Sequence, residues 1–316
     1  MNKRSLLSTL GISLLAAMAS ASDMTHSDKG LIGNTDDTRS KSLSSFCLDR
    51  ADNIIACDQK DSCLRVISPA DKLLSKCSLD FAPQVVTCRA DGTLVVAGTG
   101  HVAILDPSGK TLVSASLPVP PMPAIKGGTP SKAEIASRIR RMSSAVSVGA
   151  MGDDVFVCAR ANSGFAVYRM NSRLENITPI IKGLNGCCGQ MDLTAKDGTI
   201  YVAANCESKV VRYDRDGKRI GAFGKDKEHK DSYFNGCCEP KNVCVGPDGS
   251  LYVAESAQCC VNRFSTDGKL LDRVGVVKGI TGCVRVTVAV NRDASLVYML
   301  DTSKNTIRML ARTTTP

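Results

Sequence analysis

The sequence contains no tryptophan, and aromatic residues make up 4% of its 316 positions. Sites for carbohydrate and for single-stranded nucleic acid usually rest on aromatic stacking platforms, so this scarcity argues against both. Histidine is nearly as rare: His26, His101 and His229 are the whole supply. Mechanisms that need several imidazoles are thereby excluded. There is no Gly-x-Ser-x-Gly elbow to present a nucleophilic serine. There is no Cys-x-x-Cys pair, and so no Cys-x-x-Cys-His for covalent haem. Beyond the N-terminus no stretch reaches the 18 or so apolar residues of a membrane helix. What is abundant is cysteine, 15 residues and therefore an odd number, together with 26 glycines that promise many turns.

The first residues read as an export signal. Lys3 and Arg4 form a basic start, Leu6 to Met18 an apolar stretch, and Ala19-Ser20-Ala21 a small-residue cleavage site. Residues 1–21 are expected to be a signal peptide. Its removal takes away two basic residues and lowers the formal charge from +9 to +7. The protein is expected to be periplasmic or secreted, without a later membrane span, in a compartment where disulfides persist.

A repeat organises the remainder. Cys187-Cys188-Gly189 leads into Asp197-Gly198-Thr199-Ile200-Tyr201-Val202, and Cys237-Cys238-Glu239 leads into Asp248-Gly249-Ser250-Leu251-Tyr252-Val253. Each continues to a second turn, Asp216-Gly217-Lys218 and Asp267-Gly268-Lys269. The frame recurs at Asp91-Gly92 with Ser108-Gly109-Lys110, and more faintly at Asp52-Asn53, Gly152-Asp153 and Asp293-Ala294. Six repeats of roughly 45 residues result, which is the period of a four-stranded propeller blade. Their Val-, Ile- and Tyr-rich runs suit strands, and Asp-Gly suits tight hairpins. The expected fold is all-β, a six-bladed β-propeller over residues 45–316.

The segments 248–256 and 262–269, with the copy at 197–218, resemble the NHL repeat. The resemblance implies a six-bladed propeller. It says little about function, because that family includes protein-binding, RNA-binding and lyase members. It also implies comparison with lactonase-like propellers, which hold a divalent cation through Glu, Asn and Asp; Glu255, Asn205 and Asp192 offer those residue types.

Two segments fall outside the repeat. Residues 22–44 form a polar tail that could supply a closing strand near Gly30–Gly33. Residues 117–141 form an insertion between blades two and three. It opens with Pro118, Pro120, Pro121 and Pro123, and Ser131 to Glu134 then reads as the capping box of a short basic helix. The helix could be a solvated insertion or a docking element.

Alternation of chain direction places the cysteines. Cys187, Cys188, Cys237, Cys238 and Cys283 precede the first strand of a blade, while Cys206, Cys259, Cys260 and Cys63 follow a second strand. Both kinds of connection lie on one face, the entry face, and His101 and His229 fall there too. Cys47, Cys57, Cys77, Cys88, Cys158 and Cys244 fall within strands and read as small packing residues.

The entry-face cysteines admit two chemistries. As disulfides they would tie long loops together, for instance Cys206 with Cys237 or Cys238, and Cys283 with Cys259 or Cys260. As thiolates, with His101 and His229, they would hold a soft metal ion or an iron–sulfur cluster. Cys187-Cys188-Gly189 is similar to the paired-cysteine motif of some iron–sulfur oxidoreductases. The first expectation is a monomeric, non-enzymatic scaffold binding a protein or small ligand on its cysteine-rich entry face, with no nucleic-acid partner. The alternatives are a redox or soft-metal protein and a metal-dependent hydrolase.

Overall fold

The computed structural model describes residues 24–121, 131–225, 233–234, 236–255, 260–276 and 283–313. The expected signal peptide lies outside them. Among the described residues, runs of branched and aliphatic residues form twenty-four strands in six four-stranded antiparallel sheets arranged as a propeller.

The chain enters the ring with β1(His26–Ile32), the outer strand of blade one. The rest of that blade comes from the other end of the chain: β22(Val288–Val290), β23(Leu296–Asp301) and β24(Thr306–Arg312). Blade two is β2(Leu43–Leu48), β3(Ile54–Asp58), β4(Cys63–Ile67) and β5(Leu73–Ser78). Blade three is β6(Pro83–Cys88), β7(Leu94–Gly98), β8(His101–Leu105) and β9(Thr111–Ser116). Blade four is β10(Ala145–Met151), β11(Asp154–Arg160), β12(Phe165–Met170) and β13(Thr178–Leu184). Blade five is β14(Asp192–Lys196), β15(Thr199–Ala204), β16(Lys209–Asp214) and β17(Arg219–Gly224). Blade six is β18(Asn242–Val245), β19(Leu251–Glu255), β20(Cys260–Phe264) and β21(Leu270–Val276).

Helix α1(Lys132–Met142) joins β9 to β10. It therefore lies between blades three and four, not between two and three as the repeat count suggested. The reason is β1, which opens a blade before the first complete repeat begins. The N-cap is as the sequence indicates: Ser131 Oγ accepts from the Glu134 amide at 3.2 Å, and Glu134 Oε2 accepts from the Ser131 amide at 2.8 Å.

Turn chemistry sets the hairpins. Asp197 and Gly198 both have positive φ, as a two-residue type I′ connection requires. Gly217 has φ near 85° and packs against blade four, where an added Cβ would stand 2.2 Å from the Ile180 carbonyl oxygen. Only glycine meets both demands there.

Among the described residues there is no single core. Apolar side chains pack in six clusters, each shared by two neighbouring blades. Val95, Val102 and Ile104 of blade three, for example, meet Val148, Val155 and Val157 of blade four. The inner strands β2, β6, β10, β14, β18 and β22 are linked by a belt of hydrogen bonds around the channel. Ser44 Oγ donates to the Pro83 carbonyl at 3.3 Å, and Gln84 Oε1 accepts from the Ala145 amide at 2.9 Å. Ser147 Oγ accepts from the Leu193 amide at 3.0 Å and donates to Asp192 Oδ1 at 2.7 Å. Asp192 Oδ2 accepts from Asn242 Nδ2 at 2.5 Å and from the Val243 amide at 3.1 Å. Asn242 Oδ1 accepts from the Val288 amide at 3.0 Å; blade one is tied to blade two from the β23–β24 turn, where Asn305 Oδ1 accepts from the Leu43 amide at 3.0 Å.

The ring is closed by β1, which pairs antiparallel with β24 from His26↔Arg312 to Ile32↔Ile307. The N-terminal segment is thus structural here rather than a loose tail. His26 is buried with its Nε2 3.1 Å from the Ala294 carbonyl oxygen, and burial lowers its pKa. Deleting residues 24–33 should expose the β24 edge and lower the melting temperature by about 10 °C. A calorimetric scan showing no shift would mean that the ring is held by other contacts.

Candidate thiolate site at the mouth of the channel

Three connections reach the entry end of the channel from three consecutive blades. Each enters an inner strand, and inner strands surround the axis, so the residues just before them are drawn together. The short 3-10 turn Cys187–Gly189 precedes β14, Cys237 and Cys238 precede β18, and Cys283 precedes β22.

In both Cys-Cys pairs the second residue has positive φ, 54° at Cys188 and 62° at Cys238. Non-glycine residues seldom adopt this backbone, and such strain often marks functional sites. Here it accompanies close sulfurs. Cys187 Sγ lies 3.8 Å from Cys188 Sγ, and Cys237 Sγ lies 3.4 Å from Cys238 Sγ. Cys238 is the hub: its Sγ is 3.6 Å from Cys188 Sγ and 3.6 Å from Cys283 Sγ. It is also joined to Cys187 as a disulfide across blades five and six, with Cα atoms 5.3 Å apart. Cys238 is buried, whereas Cys188, Cys237 and Cys283 are exposed.

A polar frame holds the sulfurs in place. The Cys187 amide donates to Asn205 Oδ1 at 2.8 Å, Asn205 Nδ2 donates to the Gln190 carbonyl at 3.1 Å, and Gln190 Nε2 donates to the Cys283 carbonyl at 2.6 Å. Contact with Cys283 raises the Cys188 thiol above its ordinary value, while the nearby Lys241 ammonium pulls it back down.

Five of the nine cysteines expected on the entry face therefore converge. Cys206 is exposed in the β15–β16 turn and takes no part in the cluster. Cys260 and Cys63 are not loop residues: they open β20 and β4 and are buried. His101 opens β8, stacks on Phe81 with ring centroids 5.6 Å apart, and accompanies no cysteine in the cluster. Cys259 and His229 lie outside the described residues. The expected bond between Cys206 and the Cys237-Cys238 pair is replaced by Cys187–Cys238. Second-to-third-strand loops sit midway out along a blade, whereas the connections into inner strands sit at the axis. The strand cysteines behave as packing residues, since burial pushes the Cys88 thiol up to about 11 and that of Cys244 up to about 12.

Of the residues available for a lactonase-like centre, Asn205 and Asp192 are occupied structurally. Asn205 carries the cysteine turn, and Asp192 belongs to the inner belt. Glu255 is buried at the end of β19, with Oε1 accepting from Asn262 Nδ2 at 2.6 Å. Sequence reasoning missed Gln190, Lys241 and Arg285, whose residue types are too common to stand out. Their only local signal is that they lie within three residues of a cluster cysteine.

No family model matches the chain, and no curated protein matches it. Solved structures do. A streptogramin B lyase superimposes with a TM-score of 0.59 at 10% identity, over 87% of this chain and 94% of that one. A gluconolactonase from Xanthomonas campestris gives 0.57 at 13% identity, over 87% of each chain. A luciferin-regenerating enzyme gives 0.57 at 14% identity, over 86% of this chain and 92% of that one. At these identities the likeness is one of propeller fold alone.

Two outcomes follow from the site. Alkylation of unreduced protein should label Cys188, Cys237 and Cys283, with Cys187 and Cys238 labelled only after reduction. Peptide mapping that found Cys187 and Cys238 open from the start would contradict the disulfide. The second concerns Glu255, whose carboxyl burial pushes up to about 7. A carboxyl raised by folding favours the native state while protonated, so its contribution is full below about 4.5 and is lost as pH rises to about 7. Glu255→Gln should thus change stability little at pH 5 and increase it at pH 8 by up to about 3 kcal/mol. Denaturant melts giving the same effect at both pH values would refute that account.

Proposed function

We propose that this propeller is a soft-metal protein whose thiolate centre, at the mouth of its channel, is controlled by the redox state of Cys187 and Cys238. The carrying observation is the convergence of sulfurs on Cys238, with Cys188, Cys237 and Cys283 at 3.4–3.6 Å from it and Cys187 bonded to it. Four thiolates about 2.3 Å from a tetrahedral metal stand about 3.8 Å from one another, so the spacing fits sulfurs that share one ion. The two cysteine triads, Cys187/Cys237/Cys238 and Cys188/Cys238/Cys283, each bring their sulfurs within 4.8 Å of one another. The donors are all sulfur, which favours Cu(I), Zn(II) or an iron–sulfur cluster over hard cations.

The disulfide is the off state of this centre. Two electrons and two protons from a dithiol reductant convert Cys187–Cys238 to two thiols, and the reductant becomes a disulfide. Each thiol that then ligates a metal releases its proton. The disulfide also supports an exported location, since such bonds persist in oxidising compartments. No helix among the described residues is long and apolar enough to cross a membrane.

The scaffold reading uses the same face and has no observation of its own as specific as the sulfur cluster. The lyase and the gluconolactonase among the similar structures share only the propeller fold with this chain.

The test is anaerobic titration of dithiol-reduced, chelator-washed protein with Cu(I) against a chromogenic competitor. Tight binding is expected, with a thiolate charge-transfer band in the near ultraviolet. Cys238→Ser should weaken it at least tenfold, and Cys206→Ser should not. Wild type competing no better than Cys238→Ser, with both folded by circular dichroism, would overturn the reading.

A further inference from the structure

The Cys187–Cys238 disulfide is poorly open to solvent. Cys238 is 4% exposed, and Cys187 is half-buried. Three unbonded cysteines surround it. Cys188, Cys237 and Cys283 are exposed, and their sulfurs lie 3.4–3.6 Å from Cys238 Sγ. Solvent-accessible nucleophiles thus stand in contact with a buried electrophilic sulfur.

A disulfide opens when a thiolate attacks one sulfur along the line of the bond and the other sulfur leaves. That requirement separates the three neighbours. Cys188 Sγ is 3.6 Å from Cys238 Sγ and 3.8 Å from Cys187 Sγ. Nearly equal distances put it beside the bond rather than beyond either end. Cys237 is the chain neighbour of Cys238. Consecutive Cα atoms stand about 3.8 Å apart, short of the roughly 4.4 Å at which ordinary disulfides begin, so a bond between these two would be strained. Cys283 is the nucleophile that remains. It comes from another connection, 45 residues further on, with its Sγ 3.6 Å from Cys238 Sγ. Its carbonyl accepts from Gln190 Nε2 at 2.6 Å. Gln190 lies in the same connection as Cys187, so this hydrogen bond holds Cys283 against the disulfide.

We propose that the entry face is a thiol–disulfide exchange site, in which Cys283 opens the Cys187–Cys238 bond and presents the disulfide to a dithiol substrate. Cys283 gives its proton to water, and its thiolate attacks Cys238 Sγ. The Cys238–Cys283 bond forms, the Cys187–Cys238 bond breaks, and Cys187 leaves as a thiolate that takes up a proton. No net oxidation accompanies this step. The disulfide now ends on an exposed sulfur. One thiolate of the substrate attacks Cys283 Sγ and releases Cys238. The second substrate thiolate attacks the first substrate sulfur and releases Cys283. The substrate leaves as a disulfide, and its two electrons and two protons remain on the Cys238 and Cys283 thiols. A nucleophile held against the bond acts at an effective concentration far above that of a dissolved thiol, so this route outruns direct attack on half-buried Cys187. The route rests on the redox control proposed for the same disulfide, and it needs no metal.

The test uses unreduced protein with chelator present throughout. Reduction by dithiothreitol is followed by acid quenching and peptide mapping of the Cys187–Cys238 bond. Cys283→Ala should slow its loss about tenfold or more. Cys206→Ala should leave the rate unchanged. Cys283→Ser serves in place of the alanine variant if that one does not fold. With reduced glutathione instead of dithiothreitol, the first mixed disulfide should be found on Cys283. Folded Cys283 variants reduced at the wild-type rate, or glutathione arriving first on Cys187 or Cys188, would overturn the exchange route and leave the disulfide and the metal reading standing. Wild-type protein with Cys187 and Cys238 open before reductant is added would overturn the redox control and the exchange route together.

Discussion

The pairing of β1 with β24 is the contact on which the rest of the molecule depends. Each blade hides its apolar faces only against its two neighbours, so an open ring would leave two faces bare and two sheet edges unpaired. Because the two strands come from opposite ends of the chain, the ring closes only when the whole sequence has folded. Burial of Ile32 ties this closure to the cluster shared with blade two.

The inner belt has a different role. Inner strands cannot pair with one another, so their edges would be left to water or to nothing. Ser147, Asp192 and Asn242 satisfy neighbouring amides and thereby fix the rotation of blades four, five, six and one relative to each other. Burial pushes the Asp192 carboxyl up to about 6, while its hydrogen bonds draw it back down. A buried carboxylate with several donors is tolerated where an unpaired one would not be. The same belt sets where the connections above it end, and so where the sulfurs stand.

Convergence is a geometric consequence of the ring. A connection into an inner strand must end at the axis, whatever its length. Three successive connections that carry cysteine just before that strand must therefore place those cysteines together. Arg285 follows from the same rule: two residues beyond Cys283, it is delivered to the axis itself.

The amino-acid sequence by itself determined the local elements. Period-two apolar runs, Asp-Gly turns and the Ser131–Glu134 capping box are short-range signals, and the strands, hairpins and helix formed where these residues dictate. It also determined which connections lead into inner strands, and hence that Cys187, Cys188, Cys237, Cys238 and Cys283 share a face. Only the tertiary structure decided which cysteines on that face meet, because radial distance from the axis has no trace in sequence spacing. Cys206 and Cys283 fall on the same face, yet one stays in the β15–β16 turn and the other stands before an inner strand at the channel. The blade that holds β1 and the strap made by Arg285 to the Val146 carbonyl were likewise set by the closed ring. Each depends on residues far apart in the chain that only closure brings into one place.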